Sequence, residues 1–231
     1  MSSATHTVRI WDLPTRLFHW ALAACVIGLV VTGKVGGDAM PWHGRLGYAV
    51  LTLLLFRLVW GLIGGRWSRF ANFLPTPARL LRHLRGQGQP EEYAGHTPLG
   101  ALSVLAMLLA LAAQAGTGLF ADDEIAFSGP LTTTVSGAMA KTLTRFHKDW
   151  GQLLVIALVL LHLLAIAVYA LRGKHLTWPM LTGDKQLPAS QGVRPAADGA
   201  RRRFTALIVL ALAAAVVWWV VSPAPPPSMG F

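Results

Sequence analysis

The chain contains the stretch WGQLLVIALVLLHLLAIAVYAL at residues 150–171, which includes no Asp, Glu, Lys or Arg. About 20 apolar residues in a helix are enough to cross the hydrocarbon core of a bilayer. His162 lies within this run, and an ionisable group in that environment is costly and usually serves a function. The stretch therefore predicts a transmembrane helix that carries a functional histidine.

Four more apolar segments approach or reach the same length, at residues 17–33, 46–65, 95–119 and 204–221. Of the 231 residues, 54% are hydrophobic and only 13% are charged, whereas a soluble domain carries about a quarter charged residues. The sequence therefore predicts an all-α integral membrane protein with five transmembrane helices, the fifth of them C-terminal. Residues 187–203 form a basic connection before that helix, and residues 222–231 form a Pro-rich tail.

The net charge of +10, from 20 Lys and Arg against 10 Asp and Glu, is also found in nucleic-acid-binding proteins. The basic residues, however, concentrate before the first span, between the second and third, and after the fourth. Under the positive-inside rule these segments face the cytoplasm. The charge therefore predicts a multi-pass topology with a cytoplasmic N-terminus and a C-terminus on the opposite side, and it needs no nucleic-acid partner.

The single cysteine, Cys25, excludes several kinds of metal site. An intramolecular disulfide, a four-cysteine zinc site, an iron–sulfur cluster and a covalently attached c-type haem all need more than one cysteine. Because the chain has eight histidines, imidazole is the leading candidate for a metal ligand.

Four histidines lie inside the predicted spans or at their ends. With the N-terminus inside, His19 and His162 fall on the inner side, and His43 and His147 on the outer side. His147 and His162 are separated along one helix by about 22 Å of rise and share one broad face. This arrangement suits two haems at two depths, each held by one histidine of this helix and one of a neighbour. Zinc would need three or four converging ligands; the remaining alternative is that the histidines are structural.

Other residues near these histidines suit a haem. Small residues that would let a planar ring lie against a helix are Gly47 and Gly151, at helical spacing from His43 and His147. Cations that could pair with haem propionates are Arg16, Arg45, Arg145 and Lys148. Arg57 lies within the second span, at the depth of the inner pair, and is predicted to contact a propionate or a quinone; the alternative is that its side chain extends to the interface.

Several motifs in order resemble one family of membrane cytochromes. They are WDLPTRLFHW at 11–20, HGRLGY at 43–48 with Arg57 downstream, TPLG at 97–100, TGLF at 117–120, Phe146-His147, His162 and MLTGDK at 180–185. Over residues 8–186 the chain resembles the bacterial cytochrome b561 and nickel–iron hydrogenase cytochrome b family. The fifth apolar segment departs from that pattern.

The resemblance implies a four-helix bundle at residues 1–186 that holds two haems. It also implies a b-type cytochrome of the bacterial inner membrane, a respiratory-chain electron-transfer subunit rather than a stand-alone enzyme. Two noncovalent haem b groups would have His19, His43, His147 and His162 as axial ligands, and electrons would pass between quinone and a periplasmic redox protein. That partner would be a c-type cytochrome or a hydrogenase-like subunit. Two alternatives stay open: a superoxide oxidase that reduces quinone, with the outer cations attracting the anion, and a transporter or assembly subunit without haem.

Overall fold

The computed structural model describes residues 5–88, 90–125, 127–188 and 192–222. Its α-helices are α1 (Leu13–Val35), α2 (Met40–Ile63), α3 (Phe70–Phe73), α4 (Pro77–Leu84), α5 (Pro98–Gly118), α6 (Gly137–Phe146), α7 (Gln152–Leu171), α8 (Thr177–Thr182) and α9 (Ala200–Val221). Five helical segments are long and apolar enough to cross a membrane: α1, α2, α5, α6 with α7, and α9. The prediction of a helical, multi-pass membrane protein with a fifth C-terminal helix is confirmed. Except for Ser222, the predicted Pro-rich tail lies outside the described residues.

The helices start earlier or later than the apolar runs because capping residues define their first turns. Asp12 accepts a hydrogen bond of 3.0 Å from the amide of Thr15, and Pro14 occupies the first turn, so α1 begins at Leu13 instead of residue 17. Thr97 caps α5 in the same way, through a 3.1 Å bond from the amide of Gly100. Apolar length alone does not reveal these boundaries.

The fourth span is a composite of three helical pieces. The α6 helix begins at the Ser136 cap and runs directly into a π-helical turn, His147–Gly151, which continues as α7. A π-turn contains i→i+5 hydrogen bonds and occurs mostly as a single turn at functional sites. The predicted span at 150–171 is therefore the lower part of a longer helical rod, and His147 is the first residue of the irregular turn.

The α2 helix lies at the centre of the helix packing. The α2 helix packs on α1, α5 and α9, and α5 packs on α7. Ala110, Leu111 and Val155 form the buried contact between α5 and α7. On the other side of the bundle, Phe18 of α1 and Phe56 and Trp60 of α2 pack against a small-residue face of α9: Ala206, Val209 and Ala213. The fifth helix therefore extends the α1–α2 side and does not separate α1 from α7.

A two-stranded antiparallel sheet covers one end of the bundle. Strand β1 (Thr5–Arg9) pairs with β2 (Asp184–Pro188), and Arg9 lies opposite Asp184. Val8, Ile10, Trp11, Leu187 and Val193 form a small apolar core beneath it. The sequence analysis did not predict this sheet. We call this end of the bundle the sheet end.

Ion pairs join the sheet to the helices. Arg9 lies 2.6 Å from Asp184 and 2.9 Å from Asp198, and Asp198 also pairs with Arg203 at the start of α9. The second oxygen of Asp198 accepts a hydrogen bond from the amide of Leu13, the first residue of α1. Hydrogen bonding to Arg9 lowers the pKa of the Asp184 carboxyl below its ordinary value. These contacts bring the first turns of α1 and α9 together beside the sheet.

Candidate functional site

The four histidines within the spans form two facing pairs. The rings of His19 on α1 and His162 on α7 have centroids 6.4 Å apart. The rings of His43 on α2 and His147 in the π-turn have centroids 6.1 Å apart. His19 and His162 lie toward the sheet end and form the sheet-end pair. His43 and His147 lie at the other end, next to a cavity, and form the cavity-end pair.

The ring separations fit one metal ion between each pair. A metal ion lies about 2 Å from an imidazole nitrogen, and the radius of each ring adds about 1 Å, so coaxial ligands have centroids about 6 Å apart. Among the described residues no three His, Cys, Asp or Glu side chains converge as a metal site. An ion with two protein ligands must take its others from elsewhere, and the iron of haem takes four from the porphyrin.

Backbone carbonyls orient the cavity-end rings. His43 Nδ1 lies 3.1 Å from the carbonyl oxygen of Leu29, with the hydroxyl of Thr32 at 3.2 Å, and His147 Nδ1 lies 2.9 Å from the carbonyl oxygen of Gln114. Because a carbonyl oxygen only accepts, both Nδ1 atoms carry the proton and donate it. Nε2 of each ring is thereby left as the metal-binding nitrogen, which is the usual arrangement around a metal-bound histidine.

A cavity of about 460 Å³ surrounds the cavity-end pair. A Cβ atom built on Gly47 would meet nothing within 4 Å, so this predicted residue opens onto free space. Cβ atoms on Gly33 and Gly118 would lie 3.1 and 2.9 Å from the rings of His43 and His147. Gly33 and Gly118 therefore make room for the two imidazole rings, and Gly47 leaves free space beside His43. A mostly apolar pocket with a few polar groups is typical of a cofactor site.

The other predicted residues at this end take different places. A Cβ atom on Gly151 would lie 2.0 Å from Oε1 of Gln114, so the room beside Gly151 is occupied by that amide. Lys148 lines the cavity, whereas Arg45 and Arg145 are exposed and Arg45 covers the ring of Trp42 at 4.9 Å. The sequence analysis missed Lys34 at the end of α1, which lines the cavity and donates to Gln152 at 3.1 Å.

At the sheet end, two buried nitrogen atoms lack hydrogen-bond partners within the described part of the chain. His19 Nδ1 and Arg16 Nε are buried and have no hydrogen-bond partner among the described residues. Another nitrogen of Arg16 donates to the carbonyl of Leu181. Buried polar atoms in native proteins are nearly always hydrogen-bonded, so these two nitrogens mark positions where a bound group with acceptor atoms, such as a haem propionate, fits.

Arg57 is buried beneath α3 and does not extend to solvent. It is 3% exposed, its guanidinium lies 4.6 Å from the centroid of the Phe70 ring, and it donates to the carbonyl of Ser68 at 3.0 Å. Ser68 in turn donates to the carboxylate of Asp12 at 2.9 Å. A cation is thus held inside the sheet end by a cation–π contact, a carbonyl and a nearby carboxylate.

His96, which the sequence analysis left without a role, lies in an aromatic setting at the sheet end. Its ring centroid is 4.7 Å from that of Trp11 and 4.5 Å from that of Phe73, and its Nδ1 is buried without a partner among the described residues. Burial, followed by the nearby charge of Arg57, lowers the pKa of His96 to about 3. The imidazole is therefore neutral at physiological pH.

This chain is similar in sequence to several known proteins. A model of the prokaryotic cytochrome b561 family matches residues 10–183. A probable Ni/Fe-hydrogenase B-type cytochrome subunit of Bradyrhizobium diazoefficiens is 26% identical, over 40% of this chain and 48% of the relative. Its counterpart in Azotobacter vinelandii is 26% identical over 42% and 51%, and the Ni/Fe-hydrogenase 1 subunit of Escherichia coli K12 is 26% identical over 29% and 36%.

The chain spans about half the length of the first two of these curated relatives. No solved structure matches the chain. The family match includes all four paired histidines and most of the helical bundle, and it ends before α9. This chain therefore belongs to the prokaryotic cytochrome b561 family, whose members are membrane b-type cytochromes that bind haem b and transfer electrons.

Proposed function

We propose that this protein is a two-haem electron conduit that connects the quinone pool with a redox protein on the far side of the membrane. The observation that carries the proposal is the geometry of the histidines. They form two pairs, one at each end of the bundle, and both pairs have ring centroids about 6 Å apart. A single site would need only one such pair.

In this proposal His19 and His162 hold one haem b, and His43 and His147 hold the other. The haem iron supplies reversible one-electron exchange. The protein would supply the imidazole ligands, the hydrogen bonds that orient the cavity-end rings, and the mostly apolar cavity beside them. Arg16, Arg57 and Lys148 supply positive charge near the propionates.

The spacing of the two pairs suits transfer across a bilayer. His147 and His162 lie on one helical rod, about 22 Å apart by helical rise. The hydrocarbon core of a bilayer is about 30 Å thick. Two haems at these positions divide the crossing into short steps, each through protein that excludes water.

The distribution of charge orients the proposed conduit. The segments at the sheet end carry most of the basic residues of the chain, among them Arg66, Arg69, Arg172 and Lys174. By the positive-inside rule this end faces the cytoplasm. The protein is then an inner-membrane protein with a cytoplasmic N-terminus, and α9 ends on the periplasmic side, as does the cavity.

The partners follow from this orientation. Quinone reacts at the sheet end, where the buried Nδ1 of His96 has no partner among the described residues and can donate to a quinone carbonyl oxygen when it carries the ring proton. The periplasmic partner docks over the cavity end and is a c-type cytochrome or a hydrogenase-like subunit. The names of the relatives, Ni/Fe-hydrogenase B-type cytochrome subunits, favour the second.

The test is a haem count on the purified full-length chain in lipid nanodiscs. We expect b-type haem at two groups per chain, and reduction of both by a quinol or by dithionite. Correctly inserted protein without colour would reject the proposal in favour of a transporter or assembly subunit. Rapid quinone reduction driven by superoxide alone would instead assign the chain as a superoxide oxidase.

A further inference from the structure

The π-turn at His147–Gly151 interrupts the helical rod at the cavity-end pair. Such a turn changes the direction in which the following side chains point, and it needs stabilisation because its hydrogen bonds are not those of the flanking α-helix. His147 is the first residue of the turn, so whatever stabilises the turn also determines where this ring points.

Gln114 on α5 makes two contacts with His147. Its side-chain Nε2 donates to the main-chain carbonyl of His147 at 2.8 Å. Its own main-chain carbonyl accepts from His147 Nδ1 at 2.9 Å. One residue therefore holds both the backbone and the ring of His147, and together these contacts limit translation of the turn as well as rotation of the ring.

Gly151 provides the space in which this amide lies. A Cβ atom at position 151 would come 2.0 Å from Oε1 of Gln114, a distance that would force the amide to move. Oε1 has no hydrogen-bond partner among the described residues. Leaving a buried acceptor unpaired costs free energy, and the 2.8 Å bond from Nε2 to the His147 carbonyl offsets part of that cost.

We propose that Gln114 is a positioning residue that aims His147 at His43 through the π-turn, and that Gly151 is glycine to leave room for the Gln114 side chain. The inference rests on the proposed function, in which His147 is an axial ligand. It extends that function because Gln114 and Gly151, which lie on different elements, together align the ligand His147.

The first experiment compares Gln114→Ala with Gln186→Ala in the full-length, haem-loaded protein. Gln186 is a matched control because its exposed amide donates to Thr7 at 2.7 Å on the sheet and lies outside the cavity lining. In Gln114→Ala we expect retention of the cavity-end haem to weaken about tenfold, in the range seen when outer partners of metal ligands are removed. The low-spin electron paramagnetic resonance signal of that haem should shift, while the sheet-end signal stays unchanged. In Gln186→Ala we expect both signals to stay in place.

The second experiment tests the link with Gly151. Gly151→Ala should reproduce the shift of the cavity-end signal in the wild-type background. In the Gln114→Ala background the same substitution should shift the signal less than in the wild type, because the closest group that its Cβ displaces is gone and only the carbonyl oxygen and ring of Phe146, at 3.0 and 3.1 Å, stay near it. Additive effects of the two substitutions would overturn the link.

Gln114→Glu keeps the size of the side chain and removes the donor, so it should also shift the cavity-end signal. An unchanged signal in both Gln114 variants, or equal loss of both haems, would overturn the positioning role. Absence of haem from the wild-type protein would instead reject the proposed function, so the two failures are distinguishable.

Discussion

The two histidine pairs have the same ring separation but different surroundings. At the cavity end, both Nδ1 atoms donate to backbone carbonyls, from Leu29 and Gln114. At the sheet end, His19 Nδ1 is buried without a partner among the described residues, and the buried cation Arg57 lies at that end of the bundle. Similar ligand geometry is thus combined with two different electrostatic environments.

Because of this difference, one chain can give two chemically identical haems different midpoint potentials. A hydrogen bond from Nδ1 increases the basicity of an imidazole ligand and favours the oxidised metal, which lowers the midpoint potential. A nearby cation favours the reduced form and raises it. We therefore expect the lower potential at the cavity end, so that electrons pass downhill from the cavity end toward the sheet end.

The largest expected effect is the loss of one haem at a time. His162→Ala should remove the sheet-end haem, and His147→Ala the cavity-end haem, each lowering the haem content of the purified protein by about half, since one imidazole cannot replace a pair of axial ligands. A pyridine haemochrome assay with a redox titration would identify which component remains. Loss of the same component in both variants would contradict the pairing.

The next largest effect should come from the buried cation. Arg57→Leu should lower the midpoint potential of the sheet-end haem by about 40–90 mV, because at an effective dielectric constant of about 20 a unit charge contributes about 1–2 kcal/mol over distances on the order of 10 Å. The exposed Arg69 is the matched control, since solvent screens its charge. If Arg57→Leu and Arg69→Leu shift the potential equally, the buried cation is not the cause of the difference between the ends.

A smaller effect should follow from weakening one hydrogen bond at the cavity end. Thr32→Val leaves His43 Nδ1 with only the Leu29 carbonyl. We expect the midpoint potential of the cavity-end haem to rise by no more than about 40 mV, the equivalent of about 1 kcal/mol for one hydrogen bond. Thr52→Val removes a similar hydroxyl from α2, bonded to the Tyr48 carbonyl at 2.9 Å, and serves as control. A fall in potential would refute the proposed role of the hydrogen bonds.

The smallest effect should be a pH dependence confined to the sheet end. Because Arg9 lowers the pKa of Asp184 in the folded protein, the stabilisation is present above the ordinary carboxyl pKa and disappears as the pH falls through the lowered value. The pair is partly exposed, so the loss should stay below about 1 kcal/mol. Hydrogen-exchange protection of residues 5–9 should therefore decrease below about pH 4, and Asp184→Asn should reduce that dependence, with the rest remaining because Asp198 also pairs with Arg9. Equal sensitivity of the cavity end would show that the two ends are not independent.

The sequence predicted those features that depend on the cost of polar groups in a membrane. The five spans follow from apolar length, and the four paired histidines stand out because ionisable groups are rare within spans. The same reasoning applies to Gln114, the one amide side chain in α5, and it would have drawn attention to that residue as well. Arg57 in the second span stands out because it, too, is an ionisable group within a span.

Other features depend on contacts that no local pattern encodes. The π-turn contains His147-Lys-Asp-Trp-Gly151, residues that an ordinary helix also accepts, and its register follows from contacts with α5. Strand β1 has five residues and pairs with a segment far away in sequence. At Gly151, helical spacing predicts room for a haem ring. In the structure the side chain of Gln114 on α5 lies in that room instead.

The pairing of strands β1 and β2, which lie far apart in the sequence, has a consequence for biosynthesis. Arg9 and its partner Asp184 are separated by 175 positions in the chain, so at about 5–20 residues per second the ribosome needs about 9–35 s to supply the second strand after the first. During that interval β1 has no strand partner, while the first four spans enter the membrane. The sheet can close only when α7 has been inserted with its correct orientation, so its formation reports correct insertion of the first four spans, and a tag or fusion before Thr5 should slow that step more than insertion itself.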